Sequence, residues 1–350
     1  MWICSGRLQF PRTSRRPSAQ ATVAFPKVSV GVPVYNGEKY LAEALESLVT
    51  QDFDDFEIII SDNASTDGTE AICRAYAARD PRIRYARNES NIGSGPNYRR
   101  VFELARAPFF KWCAHDDLCK PGFLKRCYAV AAAAPADVAL VYPRCEFINE
   151  LGDLVTLKCD DISTDARQPY RRLGRVIRRI SHGGPLWGLI RSDFLRRTQL
   201  NGVVSYWDDM LLGELALLGT IVEIPEFLFQ VRCHQGNAVA LISAEHGRSA
   251  ADNPARANKK ARHALRVWTD PSRAGDAIWL PFHEEYCLEY VKRVRHARLA
   301  PLQKVMCYIT VPSVCYWGRL MKIGGLWRRR VATLFERSGV LAGQQKGIGS

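Results

Sequence analysis

Between residues 27 and 133, short β-branched apolar runs alternate with longer stretches whose apolar residues recur at helical spacing. The apolar runs cover residues 27–34, 56–60, 83–86 and 109–113, and the helical stretches cover residues 40–51, 69–78, 95–105 and 122–133. The segments that join them are short and polar. Strands that alternate with helices through short connections are typical of a parallel sheet with helices on both faces. The sequence therefore predicts an α/β fold with a mostly parallel sheet.

After residues 138–142 the regular alternation ends. Apolar runs at residues 145–148 and 154–157 indicate antiparallel additions to the sheet. The other predicted elements are a basic helix at 170–180, an apolar run at 186–190, an apolar helix at 209–218 and strands at 221–224 and 227–231. We expect this second half to pack against the parallel half and to complete one domain.

Composition changes at both ends of the chain. Residues 1–26 mix Pro, Ser, Arg and Gln without periodicity, which predicts a disordered basic arm. A domain over residues 27–240, divided into halves at 135/136, would be followed by a linker at 241–262 and a basic helical extension at 263–340. The net charge is +13, and basic residues concentrate in the arm and the extension. This asymmetry favours anionic partners such as nucleotides, anionic lipids or nucleic acids, and a solvated basic surface is the alternative.

Cysteine usage and apolar run lengths bear on where the protein works. The 11 cysteines are scattered, without a CxxC pair or metal-type spacing, which favours free thiols in a reducing cytoplasm. The first ten residues are too polar after Cys4 for the apolar core of a signal peptide. The apolar stretch at 305–320 is interrupted by Pro312 and Arg319, so we expect it to lie on a membrane rather than cross one.

Polar residues follow each predicted strand of the parallel half. They are Pro33 and Tyr35 at the first, Asp62 at the second, Asn91 and Gly93 at the third, and His115, Asp116 and Asp117 at the fourth. Ligands of open parallel sheets bind outside the carboxyl ends of the strands. A carboxylate after the second strand can accept a bond from a base N–H or a ribose hydroxyl, and an acidic cluster can hold a hard divalent cation.

Local structural roles explain some of the same residues. Asp62 could form a turn, and Asp117 could cap the helix that begins near Pro121. The glycines Gly93 and Gly95 do not make a GxGxxG fingerprint, and the chain has no GxxxxGK[ST] loop. Neither a nicotinamide site nor a P-loop is therefore predicted.

The order of these motifs resembles the nucleotide-binding half of family 2 inverting glycosyltransferases, which have the GT-A fold of the nucleotide-diphospho-sugar transferases. The motifs are PVYN at 33–36, EIIISDNASTDGT at 57–69, NIG at 91–93 and HDD at 115–117. The resemblance covers residues 27–235 and is specific through residue 130. It implies a Rossmann-like, mostly parallel sheet flanked by helices, with an antiparallel acceptor subregion and a C-terminal helical extension.

The resemblance also assigns donor-site residues. Pro33, Tyr35 and Asp62 would surround the nucleoside, and Asn91 and Gly93 would lie near the diphosphate or the sugar. Asp116 takes the place of the second aspartate of the family's DXD motif, a ligand of Mg²⁺ or Mn²⁺. The chain departs from the family at two positions, where Ala114 replaces the first aspartate of that motif and Ser61 stands where an acidic residue is common.

A histidine and an aspartate from the second half complete the implied site. His234 lies in a basic segment that, in the family, folds over the diphosphate, so it would be a second metal ligand. The family places its catalytic base at the start of an apolar helix, often as Glu-Asp, and here Trp207 and Asp208 occupy those positions. Asp208 would deprotonate the acceptor hydroxyl. An N-cap role for Asp208 is compatible with that chemistry.

The predicted function is transfer of a sugar from a UDP-, dTDP- or GDP-sugar, with inversion, to a saccharide or lipid-linked saccharide, in the synthesis of cell-surface polysaccharide or glycolipid. Trp187, which could instead be a core residue, and Asp117 are candidate acceptor contacts. The basic aromatic C-terminus predicts peripheral contact with an anionic membrane, and no nucleic-acid motif accompanies the charge. A non-catalytic sugar-nucleotide-binding protein is the alternative. A nucleotidyltransferase would carry a glycine-rich basic loop after the first strand, which residues 33–38 lack.

Overall fold

The computed structural model describes residues 25–180, 184–200, 207–234, 267, 269, 271–273, 275 and 282–316. The predicted arm up to residue 24, the linker at 241–262 and the extension beyond residue 316 lie outside the described residues. The same holds for His182 and Gly183, which precede the candidate acceptor residue Trp187.

Nine strands among the described residues form one mixed sheet. They are β1 Val28–Val34, β2 Phe56–Asp62, β3 Ile83–Arg87, β4 Phe109–Trp112, β5 Leu118–Cys119, β6 Val138–Ile148, β7 Leu154–Lys158, β8 Leu189–Arg191 and β9 Thr220–Arg232. Their order is β3-β2-β1-β4-β8-β6-β9-β5, and β7 pairs with β6 off this path.

Helices cover the sheet and continue into the C-terminal part. They are α1 Leu41–Val49, α2 Thr69–Arg79, α3 Ser94–Glu103, α4 Phe123–Ala133, α5 Pro169–Arg179, α6 Ser192–Leu195, α7 Trp207–Leu218, α8 Phe282–His296 and α9 at residues 301–316. Short 3₁₀ turns occur at Gly184–Trp187 and Pro271–Arg273.

The parallel half has the predicted arrangement. β1 pairs in parallel with β2 and with β4, and β2 pairs in parallel with β3. Every residue of β1 and β2 is buried, because helices cover both faces of these strands. Gly31 is needed for this packing, since a Cβ there would come within 2.7 Å of Phe110 and Val101. The sequence-based prediction of a mostly parallel α/β sheet flanked by helices is confirmed.

The second half differs from the prediction in strand continuity. The runs at 138–142 and 145–148 form the single strand β6, and those at 221–224 and 227–231 form the single strand β9. These two strands pair in parallel, with register shifts around Pro143 and Arg144. Proline lacks the N–H that a regular ladder requires, so the interruption in the sequence marks a bulge rather than a strand end. The antiparallel pairing of β6 with β7 is as predicted.

Helix packing places the second half beside the carboxyl edge of the sheet. A cluster that includes Leu211 and Leu215 of α7 packs against one sheet face, together with Phe110 of β4. On its outer side, α7 packs with α5, α8 and α9 in a separate cluster that contains Met210 and Tyr290. The first turn of α7 therefore stands between the sheet and an outer helical layer.

Candidate active site

The ends of β1 and β2 lie side by side. In their parallel register Pro33 is opposite Ser61, and Val34 is opposite Asp62. Tyr35, the next residue, is 43% exposed. The loop that follows reaches the turn after β4, because a Cβ on Gly37 would lie 2.7 Å from His115 Cδ2. The segments that carry the predicted donor residues thus meet at one edge of the sheet.

Asp62 is fully buried and is bonded by three protein donors. Its carboxylate accepts hydrogen bonds from Ser65 N at 2.8 Å, Tyr85 Oη at 2.8 Å and Arg87 Nη1 at 2.7 Å. Burial opposes ionisation, but bonds from Ser65, Tyr85 and Arg87 outweigh it, so the pKa of Asp62 lies below its ordinary value. Asp62 is therefore ionised. It orders the β2–α2 turn and holds Arg87 at the edge of the sheet where β1 and β2 end.

An amide network joins the ends of β2 and β3. Asn63 Nδ2 donates to Asn91 Oδ1 at 2.8 Å and to the Gly93 carbonyl at 3.2 Å. Asn88 Nδ2 donates to Asn63 Oδ1 at 2.9 Å. The backbone N–H of Gly93, whose φ is +89°, donates to Asn91 Oδ1 at 2.9 Å before α3 begins. Asn91 and Gly93 are thus held in place by Asn63, one of the polar residues that follow the second strand, and by Asn88, which the sequence reasoning did not include in the site.

The two predicted metal ligands are in direct contact. His234 Nε2 lies 2.8 Å from Asp116 Oδ2, and both side chains are mostly buried. Antiparallel pairing of β5 with β9 brings the end of β9 to the turn that contains Asp116. Burial raises the pKa of Asp116, but the bond from His234 and the charge of nearby His115 outweigh it, so the pKa lies below its ordinary value.

Arg232 anchors this contact, and the sequence reasoning did not assign it a role. Its backbone N–H donates to Asp117 Oδ1 at 3.0 Å, and its Nε donates to the Asp116 carbonyl at 3.1 Å. The guanidinium also donates to Glu43 Oε2 at 2.7 Å and to the Glu150 carbonyl at 3.2 Å. Arg232 is 2% exposed, which the sequence does not show; its position at the end of an apolar strand is only a weak signal of this role.

Asp117 has a different environment from Asp116. It is buried, and burial together with the charge of Asp116 raises its pKa well above the ordinary value. Its contact with Arg232 shows that it holds the end of β9. The predicted acceptor role of Asp117 stays a prediction.

The metal-binding capacity of the site can be judged from its donor set. Within the described residues, no group of three or more His, Cys, Asp or Glu side chains could hold a metal ion. The spacing of Asp116 Oδ2 and His234 Nε2 is close to the roughly 3 Å between adjacent ligands of an octahedral Mg²⁺ or Mn²⁺ ion. Two protein ligands of this kind fit an ion whose other positions are filled by water and phosphate oxygens.

Asp208 and Asp209 open α7, and their surroundings differ. Asp209 accepts a hydrogen bond from Tyr286 Oη at 3.0 Å, and its carbonyl accepts one from Tyr290 Oη at 2.9 Å. Asp208 is half-buried in the first turn. Burial, and to a lesser degree the charge of Asp160, raise its pKa, while backbone N–H groups of the helix start oppose the rise. α8 therefore holds Asp209 in place, and the catalytic role of Asp208 stays a prediction.

Tyr98 links Asp208 to the metal-ligand pair. Burial raises its pKa well above the ordinary value, and the carboxylates of Asp116, Asp117 and Asp208 raise it further. Trp112, at the end of β4 and four residues before Asp116, donates a hydrogen bond from its Nε1 to the Tyr98 carbonyl at 2.9 Å. The Tyr98 ring lies 5.3 Å from that of Trp207, the residue before Asp208. Trp207 also packs on Trp112, with 6.2 Å between their rings, so the start of α7 lies beside the end of β4, the strand that leads to Asp116.

Trp187 lies beside Tyr98. Its ring lies 6.3 Å from that of Tyr98 and stacks 6.2 Å from that of Phe229. The side chain is partly buried, so it packs with the core and keeps part of its surface open. Asp160, which the sequence reasoning missed, lies next to the same turn, because a Cβ on Gly184 would be 3.1 Å from its Oδ2.

Comparisons with known proteins show which proteins this chain is similar to. The family profile described as "Glycosyl transferase family 2" matches residues 29–182. Glycosyltransferase GlyG of Streptococcus pneumoniae is 31% identical over 113 residues, which are 32% of this chain and 38% of that protein. Uncharacterized glycosyltransferase MJ1057 of Methanocaldococcus jannaschii is 33% identical over 132 residues, which are 37% of this chain and 45% of that protein. These matches therefore span less than half of either relative.

A solved structure supports the fold. Residues 1–349 of S. aureus TarS, crystallised in complex with UDP, align over 84% of this chain and 91% of that chain. The TM-score is 0.51 and the sequence identity is 18%, so the likeness concerns the fold alone. Residues 29–182 of this chain therefore match glycosyl transferase family 2, and the fold is the GT-A fold.

Proposed function

We propose that this protein transfers a sugar from a nucleotide-diphosphate sugar to an acceptor hydroxyl with inversion at the anomeric carbon. The observation that carries the proposal is the contact of Asp116 with His234 after β4, together with the packing of Trp207, the residue before Asp208, against Trp112 at the end of the same strand. A base and a site for the leaving diphosphate must lie on opposite sides of one sugar for such a transfer. The match of residues 29–182 to the glycosyl transferase family 2 profile supports the same reaction class.

The donor would bind along the edge formed by the ends of β1, β2 and β3. Pro33, Tyr35 and Asp62 would surround the nucleoside, with Arg87 as a further charged neighbour of Asp62. Asn91 and Gly93 would face the diphosphate or the sugar. UDP in the crystal structure of the fold neighbour TarS makes a uridine donor the first to test, ahead of dTDP- and GDP-sugars.

Asp116 and His234 would hold a divalent cation. When bound, the ion supplies positive charge that neutralises the leaving diphosphate. Mg²⁺ strongly prefers oxygen ligands, so the imidazole of His234 favours Mn²⁺ as the more effective ion.

Asp208 would be the general base of the transfer. The acceptor O–H proton passes to the Asp208 carboxylate while the acceptor oxygen forms a bond to the anomeric carbon. The bond from that carbon to the diphosphate oxygen breaks, and the nucleoside diphosphate leaves with the electron pair. Burial and the charge of Asp160 make Asp208 a stronger base than an exposed aspartate, because they raise its pKa.

The acceptor would approach from the side of Trp187, whose ring could stack on a pyranose, with Asp117 as the other candidate contact. A saccharide or lipid-linked saccharide acceptor would connect the enzyme to cell-surface polysaccharide or glycolipid synthesis. Cytoplasmic placement with peripheral contact at an anionic membrane belongs to the same proposal. Among the described residues, no helix is both long enough and apolar enough to cross a bilayer.

Thermal stabilisation by a panel of UDP-, dTDP- and GDP-sugars, with and without Mn²⁺, tests the proposed donor class. A ligand that binds only the folded state raises the melting temperature, so the donor should raise it more when Mn²⁺ is present. Slow hydrolysis of that donor then separates an enzyme from a non-catalytic binding protein. No stabilisation by any sugar nucleotide would overturn the proposal, and binding without hydrolysis or transfer would favour the binding protein.

A further inference from the structure

Helix α9 has two apolar faces, and the part of the chain that the structure describes covers one of them. Cys307 and Val311 are fully buried and pack in the cluster that contains Leu173 and Tyr290. On the other side Leu302, Val305, Ile309 and Tyr316 are 74%, 51%, 56% and 42% exposed. We call these four side chains the outer stripe.

The outer stripe is continuous along the helix. Its members are spaced by three, four and seven residues, so at about 100° per residue they fall within one narrow sector of the helix surface. Ser313, the exposed residue between Ile309 and Tyr316 in this sector, is small. A linear apolar strip that faces away from the core is unusual on the surface of a water-soluble domain.

The chain around the outer stripe carries only positive charge. No Asp or Glu occurs from Tyr290 through Phe335, while the same stretch contains basic residues throughout. Of these, Arg295 and Arg298 are exposed just before α9 begins. Apolar side chains on one helix face, with exposed cations in the segment that leads into the helix, match the chemistry of a bilayer interface that carries anionic headgroups.

We propose that the outer stripe docks into the interfacial region of an anionic membrane, with Arg295 and Arg298 contacting the headgroups. The charge of the surrounding chain selects a lipid surface over a protein partner, because a protein would need an acidic rim to match it. Peripheral binding combines the burial of a few apolar side chains with the attraction of each cation to the anionic headgroups.

The docking surface is connected to the proposed catalytic helix. α9 packs on α5, where a Cβ on Gly174 would lie 2.9 Å from Thr310 Cγ2. The cluster that buries Val311 also contains Met210 of α7, two residues after Asp208. The inference rests on the proposed function only in that docking would bring a lipid-linked acceptor to the enzyme.

Co-sedimentation of the full chain with vesicles tests the surface without measuring sugar transfer. One set of vesicles is phosphatidylcholine, and the other contains 30% or so phosphatidylglycerol. The variants are L302S/I309S for the stripe and R295Q/R298Q for the cations. The matched control is V155S/L157S, which removes two apolar side chains from β7 that are 59% and 50% exposed. Melting curves confirm that each variant folds.

We expect the unaltered chain and the β7 control to bind anionic vesicles and to release at high salt. The stripe and cation variants should each bind at least about ten-fold more weakly, because each loses about 1.4 kcal/mol or more of interfacial free energy. Donor hydrolysis should be unchanged in both, so a loss of vesicle binding is separable from a failure of the proposed reaction. Unchanged binding by L302S/I309S overturns the proposal. The proposal is also overturned if the stripe is already covered in protein without vesicles. Cover by a second copy would appear as a mass that depends on concentration. Cover by residues 317–350 would appear as slow amide exchange.

Discussion

His234 Nε2 lies 2.8 Å from Asp116 Oδ2, although 118 positions separate the two residues in the chain. The contact depends on the pairing of β5 with β9 and on Arg232, which ties the end of β9 to the Asp116–Asp117 turn. The proposed metal site is therefore assembled from two distant segments that a single arginine holds together.

Replacement of His234 by alanine should weaken donor binding in the presence of Mn²⁺. The variant loses one of two protein ligands, so we expect affinity to fall by roughly ten-fold or more. Asp116→Asn should act in the same direction. Calorimetry with and without Mn²⁺ measures the effect, and His296→Ala, on an exposed residue at the end of α8, is the control. Equal donor affinity for His234→Ala and the unaltered chain would exclude the metal role.

Asp208→Asn should abolish transfer and leave donor binding intact. Asparagine fills the same space but cannot accept the acceptor proton, and loss of a general base typically reduces the rate by about 10²- to 10⁴-fold. Asp209→Asn is the matched control one residue away, because Asp209 is bonded by Tyr286. Initial rates and donor affinity of both variants provide the comparison. Equal turnover by Asp208→Asn and the unaltered chain would show that another group is the base.

As the pH is lowered, the transfer rate should begin to fall at a higher pH than it would with a base of ordinary aspartate pKa. Only the ionised carboxylate accepts a proton, and burial with the charge of Asp160 raises the pKa of Asp208. Asp160→Asn removes a negative charge, so the acidic limb of the kcat profile should move to lower pH. A limb that stays in place in this variant would contradict the electrostatic coupling of the two carboxylates.

Asp209→Asn should stabilise the folded protein at neutral pH. Burial first, and the charge of Asp208 second, raise the pKa of Asp209 in the folded state. The stability that such a group contributes is present below its unfolded pKa and is lost as the pH rises through the folded pKa. Asparagine keeps an acceptor for Tyr286, so we expect a gain on the order of 1 kcal/mol at pH 7 that disappears on acidification. Urea unfolding at two pH values measures it, and an equal gain at both would be inconsistent with titration.

Arg232→Gln should weaken donor binding and reduce stability together. The variant loses the bonds to Glu43 and to the Asp116 and Glu150 carbonyls, for which we expect a cost of roughly 2 kcal/mol. Arg126→Gln removes an exposed ion pair with Glu226 and is the control. If Arg232 only stabilises the fold, donor affinity measured well below the melting temperature will equal that of the control. A rise in the donor KM with Mn²⁺, at nearly constant kcat, would identify it as a positioning residue.

Much of this protein could be predicted from local sequence. Strand and helix periods between residues 27 and 133 determined the parallel half, because each element there buries its own apolar pattern. Polar residues after each strand, such as Asp62 and Asp116, indicated the edge of the sheet at which a ligand would bind, since parallel strands end at the same edge. The order of these motifs also indicated the glycosyltransferase family.

Only the tertiary structure decided which distant groups meet. The continuity of β6 and β9 depends on their pairing, and a local pattern interrupted by proline does not contain that information. Arg232, Tyr98 and Asp160 gain their roles from neighbours that lie far away in the chain, so their own sequence positions carry little signal. The two faces of α9 were likewise ambiguous, because helical spacing shows that a face is apolar, and only packing determines which face the core covers.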